Sequence, residues 1–205
     1  MSGPVTLIDY GAGNLRSLRA AFERLGADVA VSDDAATVAR SARIVLPGVG
    51  AAAPAMRALR ALGLDAAIGE AVERGSSLLG VCLGMQLLFE RSAEGGGVDC
   101  LGLLEGRVER IGWARRLPHM GWNDVAAYSG HPLAPAAGTV CYFAHSYRAV
   151  PADPAAVVAD TELDGTRFAS LVAAGLVAGT QFHPEKSGAV GRELLARWLE
   201  VPVAA

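Results

Sequence analysis

Cys82 stands between two glycines in Gly80-Val81-Cys82-Leu83-Gly84, where an apolar run meets a segment with helical spacing. A nucleophile held on a sharp strand-to-helix turn of this form is lifted clear of the sheet. The helix N-terminus behind it favours thiolate over thiol, and its N–H groups, beginning with that of Leu83, can face an oxyanion. A hundred positions later comes His183-Pro184-Glu185. A base that moves the thiol proton and a carboxylate that orients the base are what acyl chemistry at cysteine requires. Residues two apart in extended chain face the same way, so His183 and Glu185 are expected to share one face at a strand end that Pro184 marks. A third segment, Leu46-Pro47-Gly48-Val49-Gly50, has glycines on both sides of Val49. They would let a peptide plane rotate and present an N–H to a developing oxyanion. Each motif has a plain alternative, a buried cysteine in a glycine-rich turn or a surface His-Pro-Glu corner. Together they describe a cysteine acyl-transfer site.

Other chemistries find less support. Cys100 and Cys141 complete an odd set of three without a CxxC pair, and read as small buried hydrophobes. His119, His131 and His145 share no short spacing with one another and have no carboxylate cluster, so no metal is expected. Gly11-Ala12-Gly13 lacks the third glycine of a dinucleotide loop, since Arg16 stands there. No cofactor is expected. A net charge of -3 over 205 residues gives no pull toward nucleic acid or an anionic membrane. The uncharged stretch Phe168 to His183 is interrupted by Gly175 and Gly179 and falls short of the ~20 apolar residues of a helical span. The opening Met1-Ser2-Gly3-Pro4 lacks the features of a signal peptide, so a cytoplasmic protein is expected.

The elements that must position these groups follow from periodicity. Val5 to Asp9, Val29 to Val31, Ile44 to Leu46 and Ser77 to Val81 read as buried strands. Between and after them, helical stripes run through Leu15, Leu18, Phe22 and Leu25, through Met56, Leu59 and Leu62, through Leu64, Ile68, Ala71 and Val72, and over Leu83 to Phe89. Such alternation predicts a mainly parallel sheet with helices on both faces. From Leu101 onward, short β-rich runs punctuated by Gly and Pro predict an antiparallel extension: Arg107 to Ile111, Asp124 to Tyr128, Thr139 to Phe143, Val157 to Asp160, Phe168 to Ala173 and Leu176 to Thr180. Ala174-Gly175 reads as a hairpin turn and Gly95-Gly96-Gly97 as a flexible loop. A helix through Val190, Leu194, Leu195, Trp198 and Leu199 ends the chain. One α/β domain over residues 1–205 is expected.

Gly80-Val81-Cys82-Leu83-Gly84-Met85-Gln86 with His183-Pro184-Glu185 resembles the class I, or triad, glutamine amidotransferases. Asp9 to Leu15, Leu46 to Gly50, Pro118 to Asn123, Tyr142 to Tyr147 and His183 to Ser187 narrow the resemblance to the glutaminase subunits of imidazole glycerol phosphate synthases. These motifs span nearly the whole chain. The resemblance implies a flavodoxin-like fold with Cys82 as nucleophile, His183 as base and then acid, and Glu185 as its orienter. It implies that Gln86, Glu94 and the backbone of Ser146 and Tyr147 contact L-glutamine. Val49, Gly50 and Leu83 would form the oxyanion hole, and Asn14, Trp122 and Lys186 would face a (β/α)8-barrel cyclase subunit in a heterodimer. The barrel would use the ammonia to make imidazole glycerol phosphate and an aminoimidazole carboxamide ribotide, a step of histidine biosynthesis. Ala52 departs from the pattern, which usually has phenylalanine after the Pro-Gly-Val-Gly turn. Other triad amidotransferases (those of anthranilate, guanylate or pyridoxal phosphate synthesis), a cysteine peptidase of related fold and a non-catalytic subunit stay open as alternatives.

Overall fold

A computed structural model describes residues 4–128 and 130–203. Most of the opening tetrapeptide discussed above, residues 1–3, lies outside them. Strands β1 (Val5–Ile8), β2 (Val29–Ser32), β3 (Arg43–Leu46) and β4 (Ser77–Val81) alternate with helices α1 (Leu15–Glu23), α2 (Ala35–Arg40), α3 (Ala52–Ala61) and α4 (Leu64–Glu73). After β4 comes α5 (Leu83–Gln86), then β5 (Phe89–Ser92), β6 (Val98–Asp99), β7 (Leu104–Arg110), β8 (His119–Ala127), β9 (Thr139–His145) and β10 (Tyr147–Pro151). Strands β11 (Val157–Leu163), β12 (Thr166–Ala174) and β13 (Val177–Thr180) precede the last helix, α6 (Gly188–Glu200).

The central sheet has nine strands in the order β2-β1-β3-β4-β13-β12-β11-β8-β9. The pairings from β2 to β13 are parallel and those from β13 to β9 antiparallel, so the antiparallel extension is as wide as the parallel part. In the parallel part, β1, β3, β4 and β13 are buried at every position. That follows from helices covering both faces, which leaves no solvent side for an alternating pattern. On one face Phe22 of α1 meets Trp198 of α6, ring centroids 5.7 Å apart, over Leu7, Val45 and Leu79. On the other, Val38, Met56, Leu59 and Ile68 from α2, α3 and α4 pack with Ile44, Leu46 and Leu78. Burying each of the larger of these side chains contributes about 1.5–3 kcal/mol.

Four features differ from the sequence expectations. The helix after Cys82 is a single turn, and Phe89 belongs to a strand, not to the end of a helix reaching residue 89. A second, four-stranded sheet, β10-β7-β5-β6, stands beside the first and takes up the Arg107 to Ile111 run that the sequence reading assigns to the antiparallel extension. Helix α2 was not expected either, although Asp34 caps it, accepting the Thr37 N–H at 2.8 Å. Gly95 and Gly96, expected with Gly97 to be a flexible loop, belong to a 3-10 turn, Glu94–Gly96, with Gly95 in the left-handed region.

Candidate active site

Adjacent parallel strands β4 and β13 end together, with Thr180 paired to Val81. The residues that follow, Cys82 on one strand and Gln181 to His183 on the other, therefore emerge side by side at the same sheet end. Cys82 adopts φ 54°, ψ −108°, a conformation that L residues rarely take. Holding it there costs about 1–3 kcal/mol. The glycines around it make the turn possible. A Cβ on Gly84 would lie 1.9 Å from the Leu46 carbonyl oxygen, and one on Gly80 2.7 Å from that of Gly84. A Cβ on Gly48 would lie 2.6 Å from the Gly84 nitrogen. Thus Leu46-Pro47-Gly48-Val49-Gly50 is packed directly against the elbow. Tyr10 fixes its start, its hydroxyl donating to the Pro47 carbonyl at 2.9 Å. Gly50 is left-handed (φ 92°) and Val49 is exposed.

His183 is buried and held by its backbone. Its N–H donates to the Tyr142 carbonyl at 2.9 Å, and the Ser187 hydroxyl donates to its carbonyl at 2.7 Å. Glu185 reaches it by a different route from the extended segment expected. After Pro184 the chain enters a 3-10 turn, Pro184–Lys186, which curls the carboxylate back toward the imidazole. Gly191 of α6 lets that turn settle on the helix, since a Cβ there would meet the Pro184 carbonyl oxygen at 1.9 Å. The result is a contact of 3.0 Å from His183 Nδ1 to Glu185 Oε1, with both side chains buried. Because Nδ1 is so engaged, the other ring nitrogen, Nε2, is left for the Cys82 thiol, which lines the same cavity. Burial alone would push the imidazole down. The hydrogen bonds to Cys82 and Glu185 and their charges outweigh it, raising His183 to about 9.

Asn14 meets the same carboxylate oxygen. It stands at the N-cap of α1, a position where its side chain would ordinarily accept a helix N–H, but it makes no such bond. Instead its amide donates to Glu185 Oε1 at 3.3 Å. A local stabilising contact of roughly 1 kcal/mol is thereby given up for the site.

Cys82 and His183 open onto a cavity of about 340 Å3 that is also lined by Val49, Gly50, Leu83, Gln86, Glu94, Ser146, Tyr147 and Lys186. Gln86 is buried, its amide nitrogen donating to the Tyr147 carbonyl and to Gln181 Oε1, both at 3.0 Å. Trp122 is exposed, with its ring 6.1 Å from that of Tyr142, and Lys186 Nζ sits 5.6 Å above the same Tyr142 ring. These two positions thus share one patch at the cavity's edge. A larger cavity, about 660 Å3, lies between β10, β11 and β12 around Tyr128, Arg148 and Arg167, and has no cysteine or serine among its described lining residues.

Sequence reasoning missed Gln181 and the pair His119–His145. Gln181 is fully buried, with its amide 3.8 Å from Cys82 Sγ. A glutamine inside an apolar strand run was the available signal. His119 and His145 are joined Nδ1 to Nε2 at 3.0 Å, and His145 Nδ1 meets the Tyr147 carbonyl at 2.8 Å. Since that carbonyl only accepts, His145 carries its proton on Nδ1, and His119 carries its own on Nδ1 to serve His145 Nε2. Burial lowers both, His145 to about 3, so the pair is neutral near pH 7. It buttresses the Ser146–Tyr147 backbone and is spent on structure.

A protein-family model, glutamine amidotransferase class-I, matches residues 6–200. The chain is 47% identical to "Imidazole glycerol phosphate synthase subunit HisH" of Moorella thermoacetica, over 97% of this chain and 95% of that one. It is 46% identical to the subunit of the same name from Geobacillus thermodenitrificans, over 96% and 95%. Among solved structures it resembles a "glutamine amidotransferase" (TM-score 0.76, 23% identity, covering 96% of this chain and 97% of the other). The "Structure of PurLQS from Thermotoga maritima" is similar in fold (TM-score 0.72, 22% identity, covering 98% and 99%). With a family model matched over nearly its whole length, and a cysteine, a histidine and a glutamate gathered at one sheet end, the chain belongs to the class-I glutamine amidotransferases.

Proposed function

We propose that this chain is the glutaminase subunit of an imidazole glycerol phosphate synthase, hydrolysing L-glutamine at Cys82 and passing ammonia to a (β/α)8-barrel cyclase. The observation that carries this reading is the near-full-length similarity to subunits of that name. The site chemistry supports it. Cys82 sulfur attacks the side-chain amide carbon of glutamine, forming a C–S bond and an oxyanion near the Leu83 N–H and the Val49–Gly50 peptide. His183 gives its Nε2 proton to the amide nitrogen, the C–N bond breaks, and ammonia leaves a glutamyl thioester. Water then attacks the thioester, His183 takes its proton, and glutamate is released with the thiolate restored. Glu185, steadied by Asn14, keeps the imidazole oriented and its charge compensated. Gln86, Glu94 and the Ser146–Tyr147 backbone line the space for the substrate's amino-acid end. Trp122 and Lys186 flank the cavity on the side where a partner would dock, with Asn14 close behind. A cytoplasmic location fits this role, and among the described residues no helix is long and apolar enough to cross a membrane.

The test is glutamate release by the full chain, with and without a candidate barrel subunit and its ribonucleotide ligand. The left-handed Gly50 and exposed Val49 suit a peptide that rotates when the partner docks. Turnover is expected to rise at least about tenfold in the liganded complex, a coupling of about 1.4 kcal/mol or more. Full activity of the isolated chain would overturn the gating, and co-purification with a different synthase would replace the partner.

The pH profile gives a second check. His183 is raised to about 9, so the imidazolium that protonates the leaving nitrogen is present below that value and is lost as pH rises through it. The rate kcat/KM is expected to fall on the alkaline side near pH 9, and Glu185→Gln, which removes one cause of the raised value, to move that fall to lower pH. An alkaline limb that stays in place in Glu185→Gln would count against the pairing.

A further inference from the structure

Glu94 does more in this structure than line the cavity. Its carboxylate Oε2 accepts the Ala52 N–H at 2.6 Å. Ala52 is the first residue of α3, and the N-cap before it, Ala51, has no side chain that could serve the helix. The four residues before that N-cap are Pro47-Gly48-Val49-Gly50. One carboxylate thus caps the helix that anchors the end of the oxyanion turn. It is delivered by the 3-10 turn Glu94–Gly96, which closes with Gly97 N–H donating to the Glu94 carbonyl at 3.1 Å.

We infer that Glu94 is a positioning residue for the oxyanion turn, coupling occupancy of the substrate's amino-acid end to the placement of the Val49–Gly50 peptide. The inference deepens the glutaminase reading and rests on it. One carboxylate oxygen is committed to Ala52, and the other can meet the α-ammonium of glutamine. A cation bound there draws on the same group that fixes α3, so recognition of the ammonium is transmitted through Ala52 to the Val49–Gly50 peptide, two or three residues away along the chain. Amides lacking an α-ammonium should then be turned over more slowly at saturation, besides binding more weakly.

Two substitutions separate the roles. Glu94→Gln keeps an oxygen for the Ala52 N–H but loses the charge, whereas Glu94→Ala loses both. Ala52→Pro removes the N–H from the other side. Proline is tolerated at the first position of a helix, and Ala51, with φ −113° and ψ 149°, already has the extended backbone that a following proline requires. Glutamate release would be measured on the full chain with its synthase partner, and folding checked by thermal unfolding. Glu94→Gln is expected to raise KM about tenfold or more with a smaller change in kcat. Glu94→Ala should raise KM similarly and lower kcat a further ~10-fold, and Ala52→Pro should lower kcat to a like degree. In the double variant the two kcat losses should not add, because they break one contact. Glutaramate, glutamine without its amino group, gives a second reading of the same point. With no ammonium to bind, Glu94→Ala should still be slower than the unsubstituted chain. Equal kcat in Glu94→Gln and Glu94→Ala, or additive losses in the double variant, would overturn the coupling. Absence of glutamine hydrolysis in the unsubstituted complex would overturn the glutaminase reading itself.

Discussion

Cys82→Ala should abolish glutamine hydrolysis, lowering kcat on the order of 10^5-fold or more, while the protein stays folded and still binds its partner. The size follows from the role. Without sulfur there is no thioester, and what remains is positioning and oxyanion stabilisation acting on water, which retain only a small part of the rate. The fold should tolerate the change because the thiol contributes little to cohesion, its nearest recorded partners being the Ala144 carbonyl and the Gln181 amide, each 3.8 Å away. The backbone at residue 82 allows a sharper version. With φ 54°, alanine inherits the conformational strain of cysteine, but glycine does not. Cys82→Gly should therefore be as inactive as Cys82→Ala and about 1 kcal/mol more stable. Chemical denaturation of the two variants measures that difference, and a glutamate-release assay measures the loss. Hydrolysis persisting in either variant would mean that the nucleophile lies elsewhere.

The parts of this site legible in the sequence were those whose chemistry is written in short spacings. Gly80 to Gly84 announced the elbow because close backbone approach leaves glycine as the tolerated residue on both sides of Cys82. His183 and Glu185 were legible as a pair, but the reason offered for their meeting was incomplete. Strand geometry alone does not bring them together; Pro184 starts a 3-10 turn, and Gly191 in the helix that follows makes room for it. Asn14 was legible only through the resemblance, and as a surface residue. That its amide turns inward to Glu185 depends on a contact 171 residues away along the chain. The small sheet was invisible for a related reason. Phe89–Ser92 and Tyr147–Pro151 are each too short to carry a period, and they become strands by pairing with the two sides of Leu104–Arg110. The parallel core was the easiest part to read, because burial on both faces enforces apolar runs whatever the neighbours are.

The largest stability effect is expected from one of the elbow glycines, away from the reacting atoms. Gly84→Ala would place a methyl group 1.9 Å from the Leu46 carbonyl oxygen and 2.8 Å from the Leu46 carbonyl carbon. Both atoms are backbone, at the end of a strand paired on both sides and buried at every position, so neither can retreat cheaply. Relief would require separating α5 from β3, which would break the seam that sets the distance between Cys82 and the Val49–Gly50 peptide. A destabilisation of about 3–5 kcal/mol is expected, at the upper end for single substitutions. Gly69→Ala is the matched control. Gly69 lies within α4 at an ordinary helical position, and a Cβ there meets nothing within 4 Å. That substitution should stabilise by about 0.5–1 kcal/mol, since alanine loses less backbone freedom on entering a helix. Urea unfolding of the two variants reads both signs in one experiment. If Gly84→Ala fell within about 1 kcal/mol of the unsubstituted chain, the close seam between the elbow and Leu46 could not be what positions Cys82. The activity of the folded fraction adds a second measurement. A seam forced open by one methyl group should misplace the Val49–Gly50 peptide relative to the sulfur, so the variant is expected to lose turnover even where it remains folded.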